Sequence, residues 1–178
     1  DPESGVYFPG DINNWQANAG GWVLRYGEYV QINNVRENSN SAIKNKLFSD
    51  FSAKIEFKIT EKTYEITSGK DTWAGLHVRK EKQDDNPFES GYLITVSTNG
   101  EVNLFRKDVK IASAATGRSP YIYRELIVEM KGNRIRVYYA GEKIPVIDIV
   151  DNAYRQGYIS VNTSKTISHF KKVVVNQN

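Results

Sequence analysis

The chain has 178 residues, 39% hydrophobic and 12% aromatic, and its 24 basic and 21 acidic residues leave a net charge of +3. That is enough apolar material for a sizeable core and excludes a disordered chain; the interspersed charges, with no Lys/Arg stripe, give no case for a nucleic-acid surface. There is no cysteine, no apolar run long enough to span a bilayer and no signal-peptide-like start, so cysteine usage fixes no compartment and membrane insertion is not expected.

Asp1 to Gly21 is rich in Gly, Asn and Pro and reads as irregular lead-in, residues 1–14 above all, with Trp15 its one large apolar anchor. The abrupt opening Asp1-Pro2-Glu3-Ser4 leads us to expect a fragment or processed product, one domain over 1–178 beside other domains of a parent protein. GGWVLRYGEYVQINN gives two short strands broken at Tyr26-Gly27-Glu28, and VRENSNSAIKNK reads as a polar loop. From Phe48 to Thr60, Ala53, Ile55, Phe57 and Ile59 alternate with Lys54, Glu56, Lys58 and Thr60, the pattern of a half-buried strand.

After a polar connector (Glu61 to Asp71) comes TWAGLHVRK, where Ala74, Leu76 and Val78 fall on one face of a strand. Period two sends Trp73, Gly75, His77 and Arg79 to the other. GYLITVSTNGEVNLFRK then reads as a hairpin. A three-residue loop, Thr98-Asn99-Gly100, pairs Val96 with Val102 and Ile94 with Leu104, whereas a two-residue loop would mix core and polar positions. The chosen register gathers Thr95, Ser97, Glu101 and Asn103 on the face away from the apolar pairs. If that face continues the one bearing Trp73, His77 and Arg79, it is a polar platform with aromatic edges, a surface suited to a sugar.

RELIVEMKGNRIRVYYAGEKIPVIDIVD follows. A two-residue Gly132-Asn133 turn aligns Met130 with Ile135 and Val128 with Val137, and sets Glu129 opposite Arg136 on the outer face. A second tight turn at Gly141-Glu142 would set Tyr139 across from Ile144. The chain closes with GYISVN, Ile159 and Val161 inward and Tyr158, Ser160 and Asn162 outward, and then HFKKVVV. Its one N-x-[ST] acceptor is Asn162-Thr163-Ser164. No segment sustains a 3.6-residue period. About a dozen short strands with turn signals every 8–12 residues predict an all-β, two-sheet antiparallel β-sandwich or jelly roll.

The order of these features carries a resemblance. A Trp/Gly-rich opening strand is followed by FSDF, G-x-x-x-R (Gly75 to Arg79), Gly91-Tyr92 and its hairpin, and Gly132-Asn133. D-x-x-D-x-x-Y-x-x-G-x-I-x-V and a final F-x-x-V close the pattern. Over roughly residues 15–175 it resembles concanavalin A-like (laminin G-like) β-sandwiches, nearest to family 66 carbohydrate-binding modules, found beside fructan-degrading glycosidases, and to 3-keto-disaccharide hydrolase domains. The resemblance implies a concanavalin A-like fold, an oligo- or polysaccharide partner and a secreted or cell-surface setting. Sandwiches of this kind often carry calcium. Asp84 and Asp85 in the loop KQDDNPFE, and Asp148 and Asp151 at the late D-x-x-D, are the candidate ligands for such a structural ion.

Catalytic signatures are missing: no E-x-D-x-E cluster, no G-x-S-x-G, no H-E-x-x-H and no cysteine nucleophile. Arg79 leads the candidate ligand residues, because a guanidinium fork can bond two adjacent hydroxyls; its plainer role is an ion pair with Glu101 or Glu89. Trp73 would stack on a sugar ring or else cap the sandwich edge. His77, Glu101, Asn103 and Tyr158 complete the set, against the plainer reading of a solvated strand face. The leading expectation is a non-catalytic module that targets a larger extracellular protein to a glycan. The alternatives are a glycoside-acting enzyme of the same fold, using carboxylates such as Glu89, Glu101 or Asp148, and a structural or protein-binding spacer.

Overall fold

The structure is a computed structural model that describes residues 5–64 and 71–177. The expectations for Asp1 to Ser4, and for most of the connector before Asp71, lie outside the described residues. Two antiparallel sheets pack face to face. In chain order the strands are β1 (Val6–Phe8), β2 (Trp15–Ala19), β3 (Trp22–Arg25), β4 (Glu28–Gln31), β5 (Ser39–Ile43), β6 (Phe51–Lys62), β7 (Trp73–Lys80) and β8 (Tyr92–Ser97). There follow β9 (Glu101–Arg106), β10 (Val109–Ala115), β11 (Arg124–Lys131), β12 (Arg134–Tyr139), β13 (Ile147–Val150), β14 (Tyr158–Ser164) and β15 (Thr166–Gln177). The first sheet runs β13-β12-β11-β6-β15-β4-β3, with β1 also on β15; the second runs β10-β9-β8-β7-β14-β5-β2.

The alternating apolar sets meet between the sheets. Ile55, Phe57, Leu126, Val128 and Phe170 of the first pack against Leu76, Val78, Ile94, Val102 and Val161 of the second, all fully buried. Burying each such side chain stabilises the fold by about 1.5–3 kcal/mol. The expected registers are present: Val96 pairs with Val102, Ile94 with Leu104, Met130 with Ile135 and Val128 with Val137.

Three local expectations are corrected. The lead-in is ordered: Val6–Phe8 pairs with the end of β15, Ile12–Asn14 forms a 3-10 turn capped by Asp11, and Trp15 begins a strand. The segment read as a polar loop contains β5, whose five residues are all buried. Ser39, Asn40 and Ser41 have poor strand propensity, but pairing on both sides and a 2.7 Å hydrogen bond between Ser41 Oγ and Tyr29 Oη override it. Beyond β12 the chain turns tightly at Ala140-Gly141, where Glu142 N donates to Tyr139 O at 3.2 Å, but Tyr139 does not pair with Ile144. Pro145 has no N–H for a ladder, so pairing resumes where Val146 N donates to Val137 O and Ile147 faces Val137, leaving Ile144 exposed.

Candidate functional site

The outer face of the second sheet carries the polar platform. Its registers place Asn40, Asn162, Gly75, Thr95, Asn103 and Ser113 in one row across six strands. Ser160, His77, Leu93 and Phe105 form a parallel row on one side, and Ser164, Trp73 and Ser97 a row on the other. Gly75 is there for close approach: a Cβ would lie 1.9 Å from Ile94 O on the neighbouring strand. Trp73, His77, Asn103 and Asn162 all stand on this face, but they are buried rather than solvated.

Part of the cover comes from the loop between β7 and β8. Its fold is set locally: Asp85 Oδ2 accepts from Ser90 Oγ at 2.6 Å and Lys82 N at 3.1 Å. The loop is fastened to the sheet where His77 Nε2 donates to Ser90 O at 2.7 Å and Asn18 Nδ2 donates to Gln83 O at 3.1 Å. Its tip, Pro87-Phe88, forms with Trp73, Leu93 and Phe105 the apolar wall of a cavity of about 190 Å³. Glu37, Asp71, Lys107 and Asp108 rim it. A second, more polar hollow of about 430 Å³, with Asn18, Asn40 and Asp84 in its lining, adjoins it across Glu37, Asn38 and Phe88.

Arg79 does not stand on this face. His77 pairs with Ser160 and Lys80 with Tyr158, so β7 takes three steps where β14 takes two. The extra residue is a β-bulge, with Arg79 at φ +51°, and it reverses the alternation. The guanidinium turns to the end of the sandwich: Nε and Nη2 donate to Ser49 O at 3.2 and 2.7 Å, and Nη1 donates to Gly132 O at 2.8 Å and Tyr154 O at 2.9 Å. Its nearest carboxylate is Asp50, 3.5 Å away, not Glu101 or Glu89. The bulge presses on β14 at Gly157, where a Cβ would lie 2.2 Å from the Arg79 carbonyl carbon.

Lys80, which no pattern in the chain singles out, takes the vacated outward phase. It is fully buried, and its Nζ donates to Ser160 Oγ at 3.2 Å; Ser160 Oγ donates in turn to Asn162 Oδ1 at 2.5 Å. Burial lowers the Lys80 pKa to about 8, against the opposing pull of Asp85, Asp84 and Glu89. His77 is also fully buried, and burial, with Lys80 second, drives its pKa down to about 3. Its tautomer is fixed: Ser90 O can only accept, so Nε2 carries the proton and Nδ1 is a bare acceptor. Among the described residues, the buried side-chain atoms without a hydrogen-bond partner are Ser39 Oγ, Ser97 Oγ, His77 Nδ1, Asn103 Oδ1 and Asn162 Nδ2. All but Ser39 Oγ belong to this face.

The other candidates fall as follows. Glu101, half-buried, pairs with Lys110 at 3.7 Å, and Tyr158, half-buried, lies across from Lys80. Asp148 is on the other sheet, gripped by Arg134 through two 2.9 Å bonds that hold its carboxyl below the usual range. Asp151 accepts from Tyr92 Oη, from Ala153 N and from Arg106. The candidate calcium ligands are not gathered into one cluster: Asp85 is turned into its own loop, Asp84 lines the polar hollow, Asp148 and Asp151 are engaged by different partners, and no group of three or more His, Asp or Glu that could hold a metal occurs among the described residues. Asn162 is buried in β14, which closes the acceptor Asn162-Thr163-Ser164 to glycosylation in the folded chain.

The fold has solved relatives. The carbohydrate binding module CBM66 from Bacillus subtilis is similar with a TM-score of 0.76 at 20% identity, over 92% of this chain and 96% of that one. The exoplasmic/lumenal domain of VIP36, in a form bound to calcium and mannose, gives 0.68 at 15% over 93% and 83%. A putative glycosyl hydrolase from Parabacteroides distasonis gives 0.67 at 14% over 94% and 90%. At these identities the shared property is the two-sheet β-sandwich fold itself. No curated protein matches the chain in sequence. The profile of the 3-keto-alpha-glucoside-1,2-lyase-like domain does match, from residue 4 to residue 176, and the chain belongs to that family.

Proposed function

We propose that the outer face of the second sheet binds a neutral, hydroxyl-rich sugar. The observation that carries this reading is the cavity walled by Trp73, Phe88, Leu93 and Phe105, with the polar hollow of Asn18, Asn40 and Asp84 beside it. Deeper in the same face lie polar atoms with no partner: His77 Nδ1 and Asn103 Oδ1 can only accept, Asn162 Nδ2 can only donate, and Ser97 Oγ can do either. A buried polar atom left unpaired costs about 1–3 kcal/mol. Sugar hydroxyls donate and accept from one atom and would match these atoms once the cover over them gives way; a carboxylate or phosphate, which only accepts, would find two acceptors facing it. Trp73, Phe105 and Phe88 supply the apolar wall that the C–H face of a ring requires. CBM66 makes fructan the first glycan to try, and in this reading the domain tethers a larger extracellular protein to it.

Calorimetry of the wild type against maltotriose, cellotriose and inulotriose, with digalacturonate as the acidic control, tests the proposal. Saturable heat with a neutral sugar, weakened at least about tenfold in Trp73→Ala or Asn103→Ala, is the expected result. Binding of digalacturonate alone would overturn it. The family description favours a second reading, lyase action on a 3-keto-alpha-glucoside. Release of the aglycone from such a substrate in the same samples would establish that reading. Of the carboxylates considered for hydrolysis, Asp148 lies on the opposite sheet from Glu101, so those two form no facing pair.

A further inference from the structure

We propose that the apolar cavity and the polar hollow are two successive subsites, so that the site takes at least a disaccharide: one ring packs against Trp73 and Phe88, and the next has a hydroxyl held by Asn40 and Asn18. The inference rests on the sugar-binding reading of the face and deepens it, because it fixes the length of the ligand and names the residues that select it. The two spaces are continuous: Glu37, Asn38 and Phe88 belong to the walls of both. Their fixed ends lie well apart. Asn40 is on β5 and Trp73 on β7, with β14 between them. The registers pair Asn40 with Asn162 and Asn162 with Gly75, which stands two residues from Trp73. The attachment points of the two side chains are therefore separated by two strand spacings, about 9.6 Å, and by two residues along the strand, about 7 Å. A single sugar ring cannot touch both, and two linked rings can.

The hollow offers a hydroxyl its complement in a pre-set form. Gln83 O can only accept, so the Asn18 atom 3.1 Å from it is the amide nitrogen. The other proton of that nitrogen goes to Asn40 Oδ1 at 2.8 Å. One backbone carbonyl thereby orients both amides. Asn40, 2% exposed, lines the hollow and is held by its oxygen. Its nitrogen has no partner among the described residues and, unlike that of Asn162, is not sealed from solvent. Asn18 is the reverse, with its nitrogen spent and its oxygen left over. A donor beside an acceptor is what one hydroxyl, or two neighbouring ones, can satisfy together. Asn38 adds a third amide at the junction of the two spaces, with no hydrogen bond from its side chain among the described residues. Its φ of +52° lies in the left-handed region, which Asn tolerates better than most residues. The charges around the hollow, Arg36, Glu37 and Asp84, are of both signs, and Glu37 is paired with Lys165 at 3.5 Å. Selection there falls to hydrogen bonding rather than to net charge.

The test is calorimetry of wild type, Asn40→Asp and Asn38→Gly with the mono-, di- and trisaccharides of the maltose, cellobiose and inulobiose series, with melting temperatures on the same samples. In the series that binds best, the wild type should hold the disaccharide at least about tenfold more tightly than the monosaccharide, and the third ring should add less than about threefold. Asn40→Asp keeps the oxygen that Asn18 holds and exchanges the free donor for an acceptor, so the gain from one ring to two should shrink to about twofold or less. Asn38→Gly removes the amide at the junction and leaves the left-handed backbone unstrained. It should melt as wild type does and lose about half or more of the gain, which keeps the test decisive if Asn40→Asp does not fold. Equal affinity of the wild type for monosaccharide and disaccharide would overturn the two-subsite inference and leave the sugar-binding reading intact. A full gain in both variants would overturn the assignment to these amides. Silence of the wild type toward every sugar would instead overturn the reading itself.

Discussion

The outer faces of the two sheets solve the same problem in opposite ways. On the first sheet the side chains are long, charged and partly exposed, and they answer one another. Glu129 meets Arg136 at 3.1 Å, Asp148 meets Arg134 at 2.9 Å, and Glu56 meets Lys171 at 3.6 Å. Lys58 and Lys171 cap the Tyr123 ring at 4.6 and 4.9 Å. On the second sheet the central row from Asn40 to Asn103 is short, neutral and buried, Lys80 is a buried charge beside it, and several polar atoms have no answer within the protein. Exposed pairs are individually worth little, so the first face is complete without being strong. The second is incomplete at a cost to the fold. A face that carries such a cost is the better candidate for a binding surface.

The largest way to break this contrast is at the seam between the sheets. Arg79→Met removes a buried guanidinium and strands the carbonyls of Ser49, Gly132 and Tyr154. It should lower unfolding free energy in urea by about 3–5 kcal/mol. A loss under about 1 kcal/mol, with sugar binding abolished, would return Arg79 to the ligand face.

Next comes the buried lysine. Its ordinary pKa of 10.5 falls to about 8 in the folded chain. Between those values the unfolded chain keeps a proton that the folded one has given up, so wild-type stability should rise with pH over that window. At pH 7 the charge is a burden, and Lys80→Met should be more stable by about 1–3 kcal/mol, an advantage gone by about pH 10.5. Equal urea midpoints at pH 7 would mean that burial does not penalise this charge.

Phe88 sharpens the comparison from the ligand side. It is 57% exposed yet walls the cavity. Phe88→Ala should weaken sugar binding about fivefold while moving stability by less than about 0.5 kcal/mol. Unchanged affinity would remove the loop tip from the site. The smallest effect belongs to the closed face: Glu129→Ala should change stability by about 0.5 kcal/mol or less and leave binding untouched. A larger loss would show that the charged face acts as a network.

What the sequence made legible was local. The hairpins at Asn99-Gly100 and Gly132-Asn133 could be registered because period-two alternation and turn residues constrain each other within a few positions. The bulge at Arg79 could not. Alternation carries no mark of an inserted residue, and its structural counterpart, the glycine at 157, lies on another strand. Lys80 was hidden by the same phase error, since counting straight through the bulge sends it into the core. β5 was hidden for a different reason. SNSAI has the composition of a loop, and only its neighbours on both sides make it a strand. Trp73, His77 and Asn103 were placed on the correct face, but their burial depends on a loop whose docking no pattern announces.

The Arg79 clasp also has a consequence in time. Its three carbonyl partners come from segments far apart along the chain, the entry to β6, the β11–β12 turn and the approach to β14. A guanidinium cannot collect them until long-range closure is nearly finished, so these bonds form late in folding. Interactions absent from the folding transition state act on the rate of unfolding rather than on the rate of folding. In stopped-flow experiments Arg79→Met should therefore refold at nearly the wild-type rate and unfold much faster. The clasp sets how long the folded molecule lasts, and hence how long the face beside it stays assembled.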